Sequence, residues 1–207
     1  MTESIAQDFK YGANLEMGEY VIIEPNVIVG NNVKIGHRAT LKSGTIIGDN
    51  SIIDDHCITT GACYIGNNVN IRTGAIISRA TIIEDYCFIG PGVITNHTKQ
   101  VTHGRTENVP DVQLLTYIGY GTVIGSQASI LAGVYIRPQT IIGGGTVVIK
   151  DLTEMGVYVG SPAVKKMDVP DNYLMHMPDN AGSMYLNNNV FEHFKSYMES
   201  LQLPEIK

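Results

Sequence analysis

Ile35-Gly-His-Arg-Ala-Thr and, two units further on, Ile47-Gly-Asp-Asn-Ser-Ile are written to one plan: an aliphatic residue, a glycine, two polar residues suited to a turn, a small residue and a variable one. Working outward in steps of six, the first slot holds Met17, Ile23, Val29, Ile35, Leu41, Ile47 and Ile53, then, after Thr59, Ile65, Ile71, Ile77, Ile83 and Ile89. Helical faces recur every three to four residues and strand faces every two, so neither accounts for this spacing. A hexapeptide period marks a parallel β-helix, in which each unit lays down one short strand and one turn and successive coils stack.

The register runs for 14 hexads from Tyr11 to Ile94, breaks, and resumes at Ile118 for seven more, through Ile124, Ile130, Ile136, Ile142 and Val148 to about Val159. With three strands to a coil, this predicts an all-β parallel β-helix of about seven triangular coils in which residues 18 apart stack. At about 4.8 Å between neighbouring strands, the column stands roughly 34 Å tall. The expected organisation is a hexapeptide-repeat domain over 1–164, with one protruding loop over 95–117, and a C-terminal extension over 165–207. Within the extension, Lys165 to Asn189 reads as irregular, with Pro170 and Pro178. Beyond it, Val190, Phe191, Phe194, Tyr197, Met198 and Leu201 have the spacing of one face of a helix, about 12 residues long.

Composition narrows the function classes. Of 207 residues 43% are apolar, enough for a core, while 22 glycines and no tryptophan suit turns and tight stacking rather than a large aromatic centre. A net charge of −6 lacks the general basic footprint that a nucleic-acid or acidic-membrane binder needs, so neither partner is expected. Met1-Thr-Glu-Ser-Ile-Ala-Gln-Asp has neither the basic start nor the apolar run of a signal peptide, and no stretch reaches the length of a membrane-spanning helix. The expected location is the cytoplasm.

The repeat also ranks the reactive side chains. Cys57, Cys63 and Cys87 all fall in the fifth slot, held elsewhere by Val33, Ala39, Thr45, Ser51, Val69, Ala75 and Thr81, so they read as small core fillers rather than metal ligands. His37 and His56 fall in the third and fourth slots, at turns. His176 in the irregular segment and His193 in the predicted helix have no carboxylate or cysteine at a motif spacing. His97 and His103 belong to the interruption, Thr95 to Tyr117, with Asn96, Arg105, Asn108, Pro110 and Asp111. A long excursion between rigid coils is more often functional than a tolerated surface insertion, and His97 follows the last regular strand closely enough to be held by it.

Gly90-Pro-Gly-Val-Ile-Thr-Asn-His97, a loop, Ile118-Gly-Tyr-Gly-Thr-Val-Ile-Gly-Ser126, Ile142-Gly-Gly-Gly-Thr-Val-Val-Ile-Lys150-Asp and the closing Val159-Gly-Ser-Pro-Ala163 together resemble the hexapeptide-repeat acyltransferases, in particular their sugar and xenobiotic O-acetyltransferase branch. The resemblance covers the chain up to about Lys166. It implies a left-handed β-helix, a homotrimer, and acetyl-CoA as co-substrate with no metal. The family's catalytic histidine maps onto His97, and residues lining its coenzyme cleft map onto Ser126, Gly144 and Lys150, with Lys165 and Lys166 as further basic contacts. Two positions depart from relatives: Thr98 stands where several have proline, and Val164 where some carry arginine.

The chemistry explains a histidine at that place. A sugar hydroxyl is a weak nucleophile, and its proton must leave as oxygen attacks the thioester carbonyl. Imidazole, with an ordinary pKa of about 6.5, removes it near neutral pH, and such a general base contributes about 10²–10⁴-fold. The oxyanion that forms needs a donor, either a backbone N–H or the Ser126 hydroxyl. Asn96 would bind the acceptor or orient the loop, and His103 is a candidate acceptor contact. Lys150, Lys165 and Lys166 would offer positive charge to coenzyme A phosphates. The expected function is therefore acetyl transfer from acetyl-CoA to a hydroxyl of a sugar, nucleotide-sugar or related small acceptor. Alternatives are N-acetylation of a nucleotide-amino-sugar, where an amine needs less help from His97, a zinc-dependent hydratase, and a non-catalytic β-helix scaffold.

Overall fold

The computed structural model describes residues 4–101, 113–179, 181 and 199. Two-residue strands follow one another every six residues and sort into three sheets that form the faces of a triangular column. The first sheet runs from Lys10–Tyr11 to Tyr135–Ile136, the second from Glu16–Met17 to Val157–Val159, and the third from Ile22–Ile23 to Val147–Val148. Neighbours within each of these runs are parallel, and below the interruption every partner is 18 residues away, as in Ile47↔Ile65 and Ile65↔Ile83. This is the left-handed parallel β-helix expected from the repeat.

Each slot of the hexad has a physical task. Slots one and five point inward: Ile35, Ile47, Ile53 and Ile65 lie with Val33, Ala39, Val69 and Ala75 in one continuous core, each at most 2% exposed. Burying this ladder of side chains, rather than distant tertiary contacts, is what stabilises each coil on the next. Slot four adopts the left-handed backbone conformation at every turn from Asn14 to Tyr86 except the one at Gly61-Ala62. Asn14, Asn26, Asn32, Asn50 and Asn68 tolerate that conformation well, which is why asparagine recurs there. Slot two is glycine for another reason: a Cβ on Gly36 would lie 2.4 Å from the Asp55 backbone nitrogen of the next coil.

Several expectations need adjusting. The column has about eight turns rather than seven, because the isolated Ile136↔Leu152 bridge and Val157–Val159 extend it past the last regular hexad. Lys165 and Lys166, expected in an irregular segment, lie in the strand Val164–Met167, which turns back antiparallel against Val157–Val159 and ends the second sheet. Thr59, the gap in the isoleucine column, is buried and bonds Thr45 Oγ1 at 2.7 Å, so the two hydroxyls satisfy each other inside the core. The predicted helix from Val190 to Leu201 lies outside the described residues except Glu199, as do His103, Arg105, Asn108, Pro110, Asp111 and His193. Among the described residues no helix is long and apolar enough to cross a membrane.

The outer surfaces of the faces differ. On the first sheet Ile46, Tyr64, Ile82 and Tyr117 form a second buried apolar cluster, with Tyr117 stacked on Tyr135 at 5.1 Å. On the third sheet Ile22 and Ile94 are exposed.

Candidate functional site

The excursion leaves from the corner between the third and first sheets. On lower coils a short turn joins Leu41 to Ile46 and Ile77 to Thr81 here. On the coil above, the chain leaves at Thr95 and returns at Thr116. Ile82 consequently pairs with Tyr117, 35 residues on rather than 18, so the excursion adds 17 residues to the coil without disturbing its register.

Its base is built in. Thr95 is buried, its hydroxyl accepting a hydrogen bond from Ser78 N (2.8 Å) and its carbonyl one from Ser78 Oγ (2.6 Å). Thr116 Oγ1 donates to Asn96 O at 3.2 Å, Leu114 N donates to His97 O at 2.8 Å, and Thr98 and Gln113 form an antiparallel bridge. Asn96 donates through both its backbone nitrogen (2.9 Å) and its Nδ2 (3.1 Å) to Ile130 O of the next coil. Its amide is thus engaged in orienting the loop. His97 sits half-buried at the edge of this construction. Burial, and secondarily the positive charge of Arg79, hold its pKa below 6.5, so the ring is neutral and able to accept a proton near pH 7.

The other candidates do not all gather around His97. Lys150 is exposed on the same corner, two coils along, since it follows Val148 as His97 follows Thr95. That places it about 10 Å along the column. Ser126 and Gly144 are exposed and stacked on each other, with Gly145 N donating to Ser126 O at 2.8 Å, but they occupy the corner between the second and third sheets. The five residues of extended chain from Ser126 to Leu131 span at most about 17 Å, so within one chain the third sheet separates Ser126 from His97. Lys165 is ion-paired with Asp168 (2.9 Å) and Glu154 (3.5 Å), which raise its pKa, while Lys166 is exposed.

The residues assigned to structure behave accordingly. Cys57, Cys63 and Cys87 are buried free thiols. His37 accepts a hydrogen bond from Glu19 N through Nδ1 at 2.9 Å, and His56 is a left-handed turn residue with φ 59°. Among the described residues no group of three or more His, Cys, Asp or Glu is placed to hold a metal ion. One residue beside His97 went unnoticed in the sequence, Arg79. It lies 18 residues earlier, on the coil beneath, and the hexad register alone would have placed it there.

A sequence profile described as the GMPPB C-terminal domain matches residues 5–108, half of the chain. No curated protein matches the sequence. Among solved structures, a point mutant of AntD from Bacillus cereus, an N-acyltransferase in complex with dTDP and coenzyme A, superposes with a TM-score of 0.59 at 19% identity, covering 79% of this chain and 85% of that one. The likeness establishes a shared fold. Looser likenesses, both with a TM-score of 0.49, are to the polySia-specific acetyltransferase NeuO (17% identity, 98% and 96% covered) and to LpxA, a UDP-N-acetylglucosamine acyltransferase from Bacteroides fragilis (16% identity, 80% and 73% covered).

Proposed function

The chain belongs to the GMPPB C-terminal domain family, and because that profile stops at residue 108, before the column resumes at Thr116, we propose its activity from the corner the profile leaves half described. The protein is an acetyl-CoA-dependent acetyltransferase acting on a hydroxyl of a sugar, nucleotide-sugar or related small acceptor, with His97 as general base. The observation that carries this reading is the half-buried His97, kept neutral by its surroundings and fixed by a hydrogen-bonded loop base on a rigid column. Coenzyme A bound to AntD, on the same fold, supports a thioester donor.

His97 removes the acceptor proton as oxygen attacks the thioester carbonyl. The tetrahedral oxyanion then collapses, the carbon–sulfur bond breaks, and the coenzyme thiolate takes the proton back from the imidazolium. Ser126 and Gly144 line the coenzyme cleft, and Ser126 Oγ donates to the oxyanion. Lys150, Lys165 and Lys166 serve its phosphates, Lys165 after exchanging Glu154 and Asp168 for them. Asn96 orients the loop, and His103 contacts the acceptor.

A smooth column with its two residue groups on opposite corners completes such a site only by bringing a second copy alongside, so the working form is a homotrimer. The exposed Ile22 and Ile94 on the third sheet support such packing. The protein acts in the cytoplasm, on a small-molecule acceptor, without nucleic acid, membrane insertion or a required metal.

N-acylation is the second reading, favoured by AntD being an N-acyltransferase. Thiol release from acetyl-CoA across a panel of sugars and amino sugars tests the proposal. Release with a hydroxyl acceptor that collapses in His97→Ala supports it. Near wild-type kcat in that variant removes the general base, and no release or coenzyme binding with any acceptor favours a scaffold.

A further inference from the structure

Resting on the acyl-transfer reading above, we propose that Arg79 is an anion-binding residue of the acceptor site, so that the preferred acceptor carries a carboxylate or phosphate close to the group that is acylated.

Arg79 stands directly beneath His97. Ile76 pairs with Ile94, and the two bonds between Ser78 and Thr95 tie the turn carrying Arg79 to the strand that leads into His97. One coil lower lies Gly61, where a Cβ would be 3.1 Å from Arg79 Cβ, 3.7 Å from Nε and 3.9 Å from Cδ. The arginine stem therefore lies over the glycine, and any side chain at 61 would press on it. Arg79 N is held at 3.1 Å from Thr60 Oγ1. The side chain is thus placed by its surroundings on one corner of the column.

What the guanidinium lacks is a counter-charge. Other basic side chains of the lower coils have one: Lys34 pairs with Glu16, Lys42 with Glu24, and Arg72 with Asp54 at 3.1 Å. Among the described residues no carboxylate lies within ion-pair distance of Arg79, and its buried Nε has no hydrogen-bond partner. A half-buried cation in this state is costly unless a ligand completes it, and a guanidinium fork matches the oxygens of a carboxylate or phosphate. Neighbouring coils are about 4.8 Å apart, so an anion on Arg79 would sit within about one sugar ring of the hydroxyl or amine facing His97. The same charge lowers the pKa of His97, and an acceptor anion would relieve that effect on binding, making the base stronger once the substrate is in place.

The test compares three acceptors differing in charge: methyl glucoside, its uronic acid counterpart and glucose 1-phosphate. Transfer by the full chain is followed as thiol release from acetyl-CoA, and binding of the same compounds by calorimetry without acetyl-CoA. The wild-type chain is expected to prefer one charged acceptor by about tenfold or more, the value of one charge-assisted contact, expressed chiefly in KM. The uronic acid and phosphate arms identify which anion it is. Arg79→Gln should abolish the preference and Arg79→Lys restore part of it. Arg38→Gln, which removes a cation stacked over Tyr20 on another corner, should keep it. Equal binding of all three compounds by the wild-type chain, or loss of transfer to all three alike in Arg79→Gln, would overturn the proposal. If no acceptor is acetylated yet a charged one binds in an Arg79-dependent manner, acyl transfer falls and the anion site stands. Transfer whose charge preference survives Arg79→Gln gives the converse.

Discussion

Gly90 and Gly74 sit at the same corner of the column, in slots two and four of their hexads, and alanine at each should cost stability for different reasons. A Cβ on Gly90 would lie 2.7 Å from both Ile124 O and Ser126 N and 2.8 Å from Gly125 C, all backbone of the coil above. Reaching ordinary contact at 3.4 Å requires the two coils to part by about 0.7 Å. The bond from Gly90 N to Ile124 O, now 2.8 Å, would then stretch to the edge of hydrogen bonding. Losing most of one bond costs about 0.5–1.5 kcal/mol and the strain of overpacking about 1–3 kcal/mol, against a gain of about 0.4–1 kcal/mol from a stiffer unfolded chain. The expected net loss is about 1–3 kcal/mol. Gly74 has φ +72° and nothing within 4 Å of its would-be Cβ, so alanine there meets only the left-handed backbone penalty. That penalty is about 1–2 kcal/mol, largely offset by the same unfolded-chain term. Urea unfolding of both variants, followed by circular dichroism, should therefore place Gly90→Ala about 1–2 kcal/mol below Gly74→Ala. Equal midpoints, or Gly74→Ala as the weaker protein, would refute the assignment of slot two to coil-to-coil contact and slot four to backbone conformation.

Replacing His97 with alanine should lower kcat by about 10²–10⁴-fold with little change in KM for acetyl-CoA, measured by thiol release. Because the neutral ring is the active form and its pKa is held below 6.5, the acid limb of kcat/KM should fall below pH 6.5 and move upward in Arg79→Gln. The folded state then binds fewer protons at His97 than the unfolded chain between the lowered pKa and 6.5, so stability should decrease as pH falls through that window, and His97→Ala should remove that contribution. Burial pushes Cys57 up to about 11 and Cys63 to about 12, and raises Cys87 as well, so none should react with a thiol reagent at pH 8 until the chain is unfolded. Rapid labelling of the native protein would contradict the core-filler assignment. Ile65→Ala, at a fully buried site between Ile47 and Ile83, should cost about 2–5 kcal/mol in the same unfolding assay.

The hexad determined the column, its strand order and the direction in which nearly every repeat side chain points, because in a solenoid each residue's neighbours are set by a fixed offset along the chain. Cys57 between Ala39 and Ala75, His37 and His56 at turns, and the place where the pattern fails at Thr95 all follow from counting in sixes. Counting also carried far enough to stack Arg79 under His97, although a period says nothing of charge and that neighbour was not noticed. Beyond the register it had less to offer. The strand Val164–Met167 turns back antiparallel, a pairing no hexad encodes. Lys165 is bound to Glu154 and Asp168, and the Asn96 amide to Ile130 O, partners fixed by side-chain geometry rather than by repeat position. The separation of Ser126 and His97 onto different corners depends on how three faces close around the axis. A linear motif lists both residues in order, whereas the triangular cross-section puts the width of a sheet between them.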